Sequence, residues 1–121
     1  MTTGPRPDPR APHAGALVWV DFDPALGTEQ SGARPALVVS ATTFNALSRR
    51  SLVCPITTNP APWPTKVFLP DGLAVKGAVL TDQVRSVDRS QRGFRVVGKV
   101  PPDVLAHVRA AIVSLMEEEP E

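Results

Sequence analysis

Glu29 and Arg34 lie five residues apart in the loop GTEQSGAR, immediately ahead of the apolar run PALVVS. A carboxylate can take a proton from a hydroxyl. A guanidinium can grip a phosphate through two N–H groups and neutralise charge that develops on it. A loop anchored on a buried strand is a common carrier for such groups. The same two residues read equally well as a surface ion pair. Asp21 and Asp23, at i and i+2, share one face of a strand and offer two oxygen ligands, but no third acid is close in sequence. The expected reading is a solvated strand end before Pro24. Cys54, within LVCPIT, reads as a small buried hydrophobe rather than a nucleophile. His13 falls near the N-terminus, and His107 falls at the solvent edge of the last helical stripe. A paired-histidine site or a Ser-His-Asp triad is not expected, and neither phosphate-binding glycine pattern occurs.

The elements that position these residues are short. ALVWVDFD (16–23) reads as a strand, and the loop 24–34 follows it. PALVVSA (35–41) reads as a buried strand opened by Pro35. TTFNALS (42–48) suits one or two helical turns capped by Thr42 or Thr43. LVCPIT (52–57) reads as a strand that Pro55 would confine to an edge or a bulge. NPAPWPT is an irregular proline loop around Trp63. KVFLP, GAVLTDQ, VRSVD and FRVVGKV (94–100) add short strands. In the closing segment, Val104, Leu105, Val108, Ala111, Ile112 and Leu115 recur at helical spacing, with Pro102 and Asp103 at the helix start. About six strands in near-consecutive order and a terminal helix predict an α+β domain. Its sheet should be antiparallel and curled into a small barrel.

The chain has 121 residues, 42% of them apolar and 21% charged, which fits one globular domain. No apolar stretch approaches the roughly 18–20 residues of a membrane span. The N-terminus lacks the apolar core of a secretory signal. One cysteine excludes an internal disulfide, and a cytoplasmic protein is the simplest expectation. Four of the 14 prolines fall in the first twelve residues, so 1–14 is expected to be a disordered arm, 15–116 the folded domain and 117–121 an acidic tail. The body 15–116 carries eleven basic and seven acidic residues, a charge of +4 suited to a polyanionic partner.

The ordered motif V-x-F-D-P-x-x-G-x-E-Q-x-G-x-R-P-A-L-V-V-S, from Val20 to Ser40, resembles the opening segment of the MazF/PemK family of toxin endoribonucleases. The likeness continues in CPITTN (Cys54–Asn59) and GAVLTDQVRSVD (Gly77–Asp88), and spans about residues 15–116. The resemblance implies an SH3-like β-barrel that forms a homodimer, uses no cofactor or metal and cuts single-stranded RNA. It further implies 2′,3′-cyclic phosphate and 5′-hydroxyl ends and inhibition by an acidic, MazE-like antitoxin. By the same likeness the catalytic residues are Arg34, Thr57 and Glu29. Asp82 and Gln83 contact substrate or assist catalysis, and Thr28, Trp63 and Arg85 join them at the substrate. Thr28 stands where some members carry histidine, and Leu80 where some carry arginine, so the chemistry falls to Arg34 with Thr57 and Glu29. Phe22, Trp63, Phe44, Phe68 and Phe94 are the candidate stacking surfaces, with most of them expected to be core and Trp63 expected to reach solvent. Arg85, Arg89, Arg92 and Arg95 would bind backbone, or merely solvate a strand and turn. The competing reading is an SH3-like module that binds nucleic acid or peptide without catalysis.

Overall fold

A computed structural model describes residues 6–22 and 33–118. The strands are β1 (Ala16–Asp21), β2 (Ala33–Val38), β3 (Arg50–Thr57), β4 (Lys66–Phe68), β5 (Ala78–Leu80), β6 (Arg85–Asp88) and β7 (Phe94–Lys99). Helix α1 (Thr42–Leu47) joins β2 to β3, a single 3₁₀ turn covers Thr81–Gln83, and helix α2 (Pro102–Ser114) closes the described fold. All pairings are antiparallel, in the order β4-β5-β3-β2-β1-β7, with β6 also on β3. This is the α+β antiparallel architecture expected. The two ends of the path, β4 and β7, are not paired with each other, so the sheet curls without closing into a barrel.

β1 is apolar from Ala16 to Val20 because residues on both of its faces are buried there. Leu17 joins Leu37, Cys54, Ile56, Val79 and Val108 on one side of the sheet. Ala16, Val18, Val20 and Phe22 join Ala36, Val38, Val53 and Val87 on the other. Helix α2 covers the first side with Val104, Leu105, Val108, Ala111 and Ile112, as its spacing predicts, while Leu115 stays exposed. Val87 of β6 packs into this second cluster with Phe94 against it.

Pro55 corrects one expectation: β3 is a central strand, not an edge. It pairs with β2 along one side, where Ala36 faces Pro55. Along the other side it splits its partners, with Arg50–Val53 against β6 and Ile56–Thr57 against β5. Pro55 falls in the gap between those two ladders, where a missing N–H breaks no described pair.

The segment expected to be a disordered arm is also corrected, at least from Asp8 onward. The Asp8 N–H donates to Ala46 O at 2.8 Å, and the Ala14 N–H donates to the Thr42 hydroxyl at 3.0 Å. Thr42 therefore anchors this segment instead of capping α1, whose N-cap is Ala41 with no side-chain cap. Pro12 is buried, and its carbonyl accepts from Asn45 Nδ2 at 3.0 Å. Prolines offer few N–H groups to satisfy, so a handful of partners suffices to hold the segment down.

Asn45 is fully buried and is the hub of this corner. Its Oδ1 accepts from the hydroxyls of Ser40 and Ser51, and Ser51 also accepts from Arg89 at 2.9 Å. Arg89 donates further to the carbonyls of Arg50, Asn45 and Ser48, each at 2.9 Å. A buried network is costly when half-satisfied. Asn45→Ala leaves two hydroxyls and the Pro12 carbonyl without their partner. We expect it to lower unfolding free energy by about 2–3 kcal/mol, read as a shifted midpoint in urea unfolding.

Candidate active site at one end of the sheet

Arg34 lies near the start of β2 and is exposed; Val20 faces it on β1. Thr57 ends β3, half-buried, with Ala78 opposite it on β5. The β2–β3 ladder ends where Ala36 pairs with Pro55, and Arg34 and Thr57 each lie two residues beyond that last pair. Side chains alternate along a strand, so Arg34 shares the face of Ala36 and Val38, and Thr57 shares the face of Val53. Both point to the enclosed side that holds Phe22, at the end of the sheet where β1 finishes. The Thr57 hydroxyl accepts from the Asn59 N–H at 3.1 Å, which orients it and leaves its own proton to donate.

Gly77 is what lets β5 approach Thr57, and sequence reading passed over it. Its φ is +133°, and a Cβ there would sit 2.2 Å from the Thr57 carbonyl oxygen. The available signal was a glycine directly ahead of a short apolar strand, which marks close backbone approach.

Asp82 and Gln83 occupy the 3₁₀ turn after β5 and are exposed. Trp63 is 63% exposed in its proline loop, as expected. That loop is braced by Lys66 Nζ, which donates to Asn59 O at 3.0 Å and to Ala61 O at 2.6 Å. Glu29 and Thr28, named in the same sequence reading, lie outside the described residues.

The four arginines of the basic run divide. Arg89 is a structural latch, and Arg92 donates to the carbonyls of Asp21, at 3.0 Å, and Phe22. Arg89 thus has both terminal nitrogens, and Arg92 its Nη1, turned to the protein itself. Arg85 and Arg95 are exposed, and Arg85 lies 5.1 Å from the centroid of the Phe22 ring. Of the aromatics expected in the core, Phe22 is buried and Phe94 packs against the same cluster, but Phe44 and Phe68 are 44% and 52% exposed. Asp21 departs from the solvated strand end expected of it: its Oδ1 is enclosed without a hydrogen-bond partner among the described residues. Asp23, its companion in that reading, lies outside them. Among the described residues, no three His, Cys, Asp or Glu side chains gather as a ligand set.

Cys54 is buried, and burial, with the Asp82 carboxylate adding to it, pushes its thiol up to about 12. The thiolate is the reactive form. The folded protein should therefore show negligible alkylation by iodoacetamide at pH 8, with full labelling in denaturant. Rapid labelling of the native protein would contradict the placement.

Sheet, helix and site together define a small α+β protein with an arginine and an oriented hydroxyl at one sheet end. The profile of PemK-like, MazF-like toxins of type II toxin–antitoxin systems matches residues 13–116. The endoribonuclease toxin MazF of Escherichia coli K12 is 41% identical over 101 residues, covering 84% of this chain and 90% of that protein. Escherichia coli endoribonuclease PemK is 32% identical over 106 residues, covering 84% and 80%. A crystal structure of MazE–MazF from Deinococcus radiodurans superposes with a TM-score of 0.80 at 40% identity, covering 88% of this chain and 96% of that one. The chain belongs to the PemK-like, MazF-like toxin family of type II toxin–antitoxin systems.

Proposed function

We propose that this chain is the toxin of its system and an endoribonuclease that cuts single-stranded RNA without a metal ion. The observation that carries the reading is the placement of Arg34 and Thr57 on one face of one sheet end, in a chain whose relatives are named endoribonucleases. In the proposed reaction the ribose 2′-hydroxyl gives its proton to a base, for which Glu29 is the candidate. Its oxygen then bonds to phosphorus, the P–O5′ bond breaks, and the leaving oxygen takes a proton. The products carry a 2′,3′-cyclic phosphate and a 5′-hydroxyl. Arg34 stabilises the extra charge on the crowded phosphorus centre, and Thr57 donates to a phosphate oxygen. Holding the 2′-oxygen in line with the breaking bond supplies a further share of the rate. Asp82, Gln83, Trp63 and Thr28 are the proposed contacts along the strand.

An acidic antitoxin is the proposed inhibitor: MazE–MazF structures of Deinococcus radiodurans supply the precedent, and the basic body supplies the complementary charge. A homodimer in the cytoplasm completes the proposal, because a domain this small gains by pooling apolar surface with a second copy.

The test is cleavage of a long mixed-sequence RNA with and without excess EDTA. The expected result is fragmentation at the same sites and rate in both. Loss of cleavage in EDTA with recovery in magnesium would overturn the metal-free reaction. Intact RNA under both conditions, with RNA still bound, would leave a binding module.

A further inference from the structure

Arg85 stands apart from the other arginines of its run. Arg89 donates through both terminal nitrogens and Arg92 through its Nη1 to groups of the protein itself, whereas Arg85 rests over an aromatic ring and is exposed. The ring it rests on is fixed. Phe22 is only 8% exposed, packed among Val18, Val20 and Val87. Its backbone is pinned by Arg92, which donates to the carbonyls of Asp21 and Phe22. The Asp21 N–H closes the same clip on Gly93 O at 3.1 Å. Phe22 lies two residues beyond Val20, which faces Arg34 across β1 and β2. Arg85 itself pairs with Val53 on β3, which in turn pairs with Val38 at the far end of β2 from Arg34.

We infer that Arg85, seated over Phe22, is a stacking platform for a nucleobase of single-stranded RNA and not a phosphate clamp. The inference deepens the endoribonuclease reading and rests on it for the choice of RNA. A guanidinium over an aromatic ring is attracted by the ring's negative face and loses freedom before any ligand arrives. That ordering cost is then not charged to binding. Its central carbon lies 5.1 Å from the ring centroid and its side chain is exposed, so a base arriving from solvent can stack on it. Arg34, near the start of β2, is left to meet the phosphate. The division assigns one cation to the reacting group and one to holding the strand by its bases. Lysine cannot replace Arg85 in this role, because an ammonium has charge but no planar face.

The test is fluorescence anisotropy with a short 2′-O-methyl oligoadenylate, which cannot be cut because its 2′-oxygens are blocked, and with an abasic strand of equal length and charge. Wild type, Arg85→Ala and Arg85→Lys are compared. Both substitutions should weaken oligoadenylate binding roughly tenfold, with Arg85→Lys binding the abasic strand like wild type. Recovery of oligoadenylate affinity in Arg85→Lys would overturn the inference and make Arg85 a phosphate contact. Unchanged affinity in Arg85→Ala would also overturn it. Both variants should stay folded, with the urea midpoint lowered by no more than the loss of one exposed cation–π contact. Cleavage of a long RNA by the wild type, run in parallel, reports separately on the parent reading.

Discussion

Arg34→Ala should slow RNA cleavage by roughly 10²–10³-fold, the loss typical of removing one preorganised charge contact to a transition state. The same change should leave the urea midpoint nearly unmoved. Arg34 is exposed near the start of β2, and the apolar packing of that strand is carried by Ala36, Leu37 and Val38. Activity and stability therefore separate at this position. The loss should appear in single-turnover rates at saturating RNA, since the contact is stronger to the transition state than to the bound substrate. Arg34→Lys should recover only part of the rate, because a point charge lacks the two-pronged geometry. A folded Arg34→Ala protein cutting at the wild-type rate would remove Arg34 from the mechanism.

Gly77→Ala should damage both fold and activity. The new Cβ meets the Thr57 carbonyl carbon at 3.0 Å as well as its oxygen at 2.2 Å, and both are backbone atoms that cannot swing aside. The φ of +133° adds strain for any residue with a side chain. The two effects together should lower stability by at least about 2 kcal/mol. Relief requires β5 to move off the end of β3, which displaces Thr57 and lowers cleavage beyond the loss of folded protein. Gly72→Ala is the control. Its φ is +91°, but a Cβ there meets nothing within 4 Å, so only the backbone strain of about 1 kcal/mol should appear. Equal urea midpoints for the two variants would show that the close approach at Thr57 carries no energy.

The strands, the helix 102–114 and the buried state of Cys54 were legible because local hydrophobic patterning fixes them. Pro55 misled because a proline restricts only the side of a strand that needs its N–H, and β3 changes partners there. The segment from Asp8 to Ala14 was misjudged on composition, since its holding partners, Asn45 and Thr42, are about 30 residues away in sequence. For the same reason Arg89 and Arg92 looked like members of a binding surface. Nothing local shows that their N–H groups are committed to carbonyls far off in the chain. Phe44 and Phe68 looked like core residues because aromatic type alone does not tell which face of a short element meets the sheet. Arg34 and Thr57 are candidate site residues through the ordered motifs that contain them. Their arrangement across two strands is a property of register, which no short motif contains.

The chemistry of the cut ends tests the central claim most directly. RNA cleaved by the wild-type protein in EDTA should carry 5′-hydroxyl ends that accept label from polynucleotide kinase without prior phosphatase treatment. The matching 3′ ends should be 2′,3′-cyclic phosphates. That result follows from attack by the neighbouring 2′-hydroxyl with Arg34 and Thr57 at the phosphate. Fragments bearing 5′-phosphates and free 3′-hydroxyls would mean that water, not the ribose, attacks phosphorus, and would contradict the account.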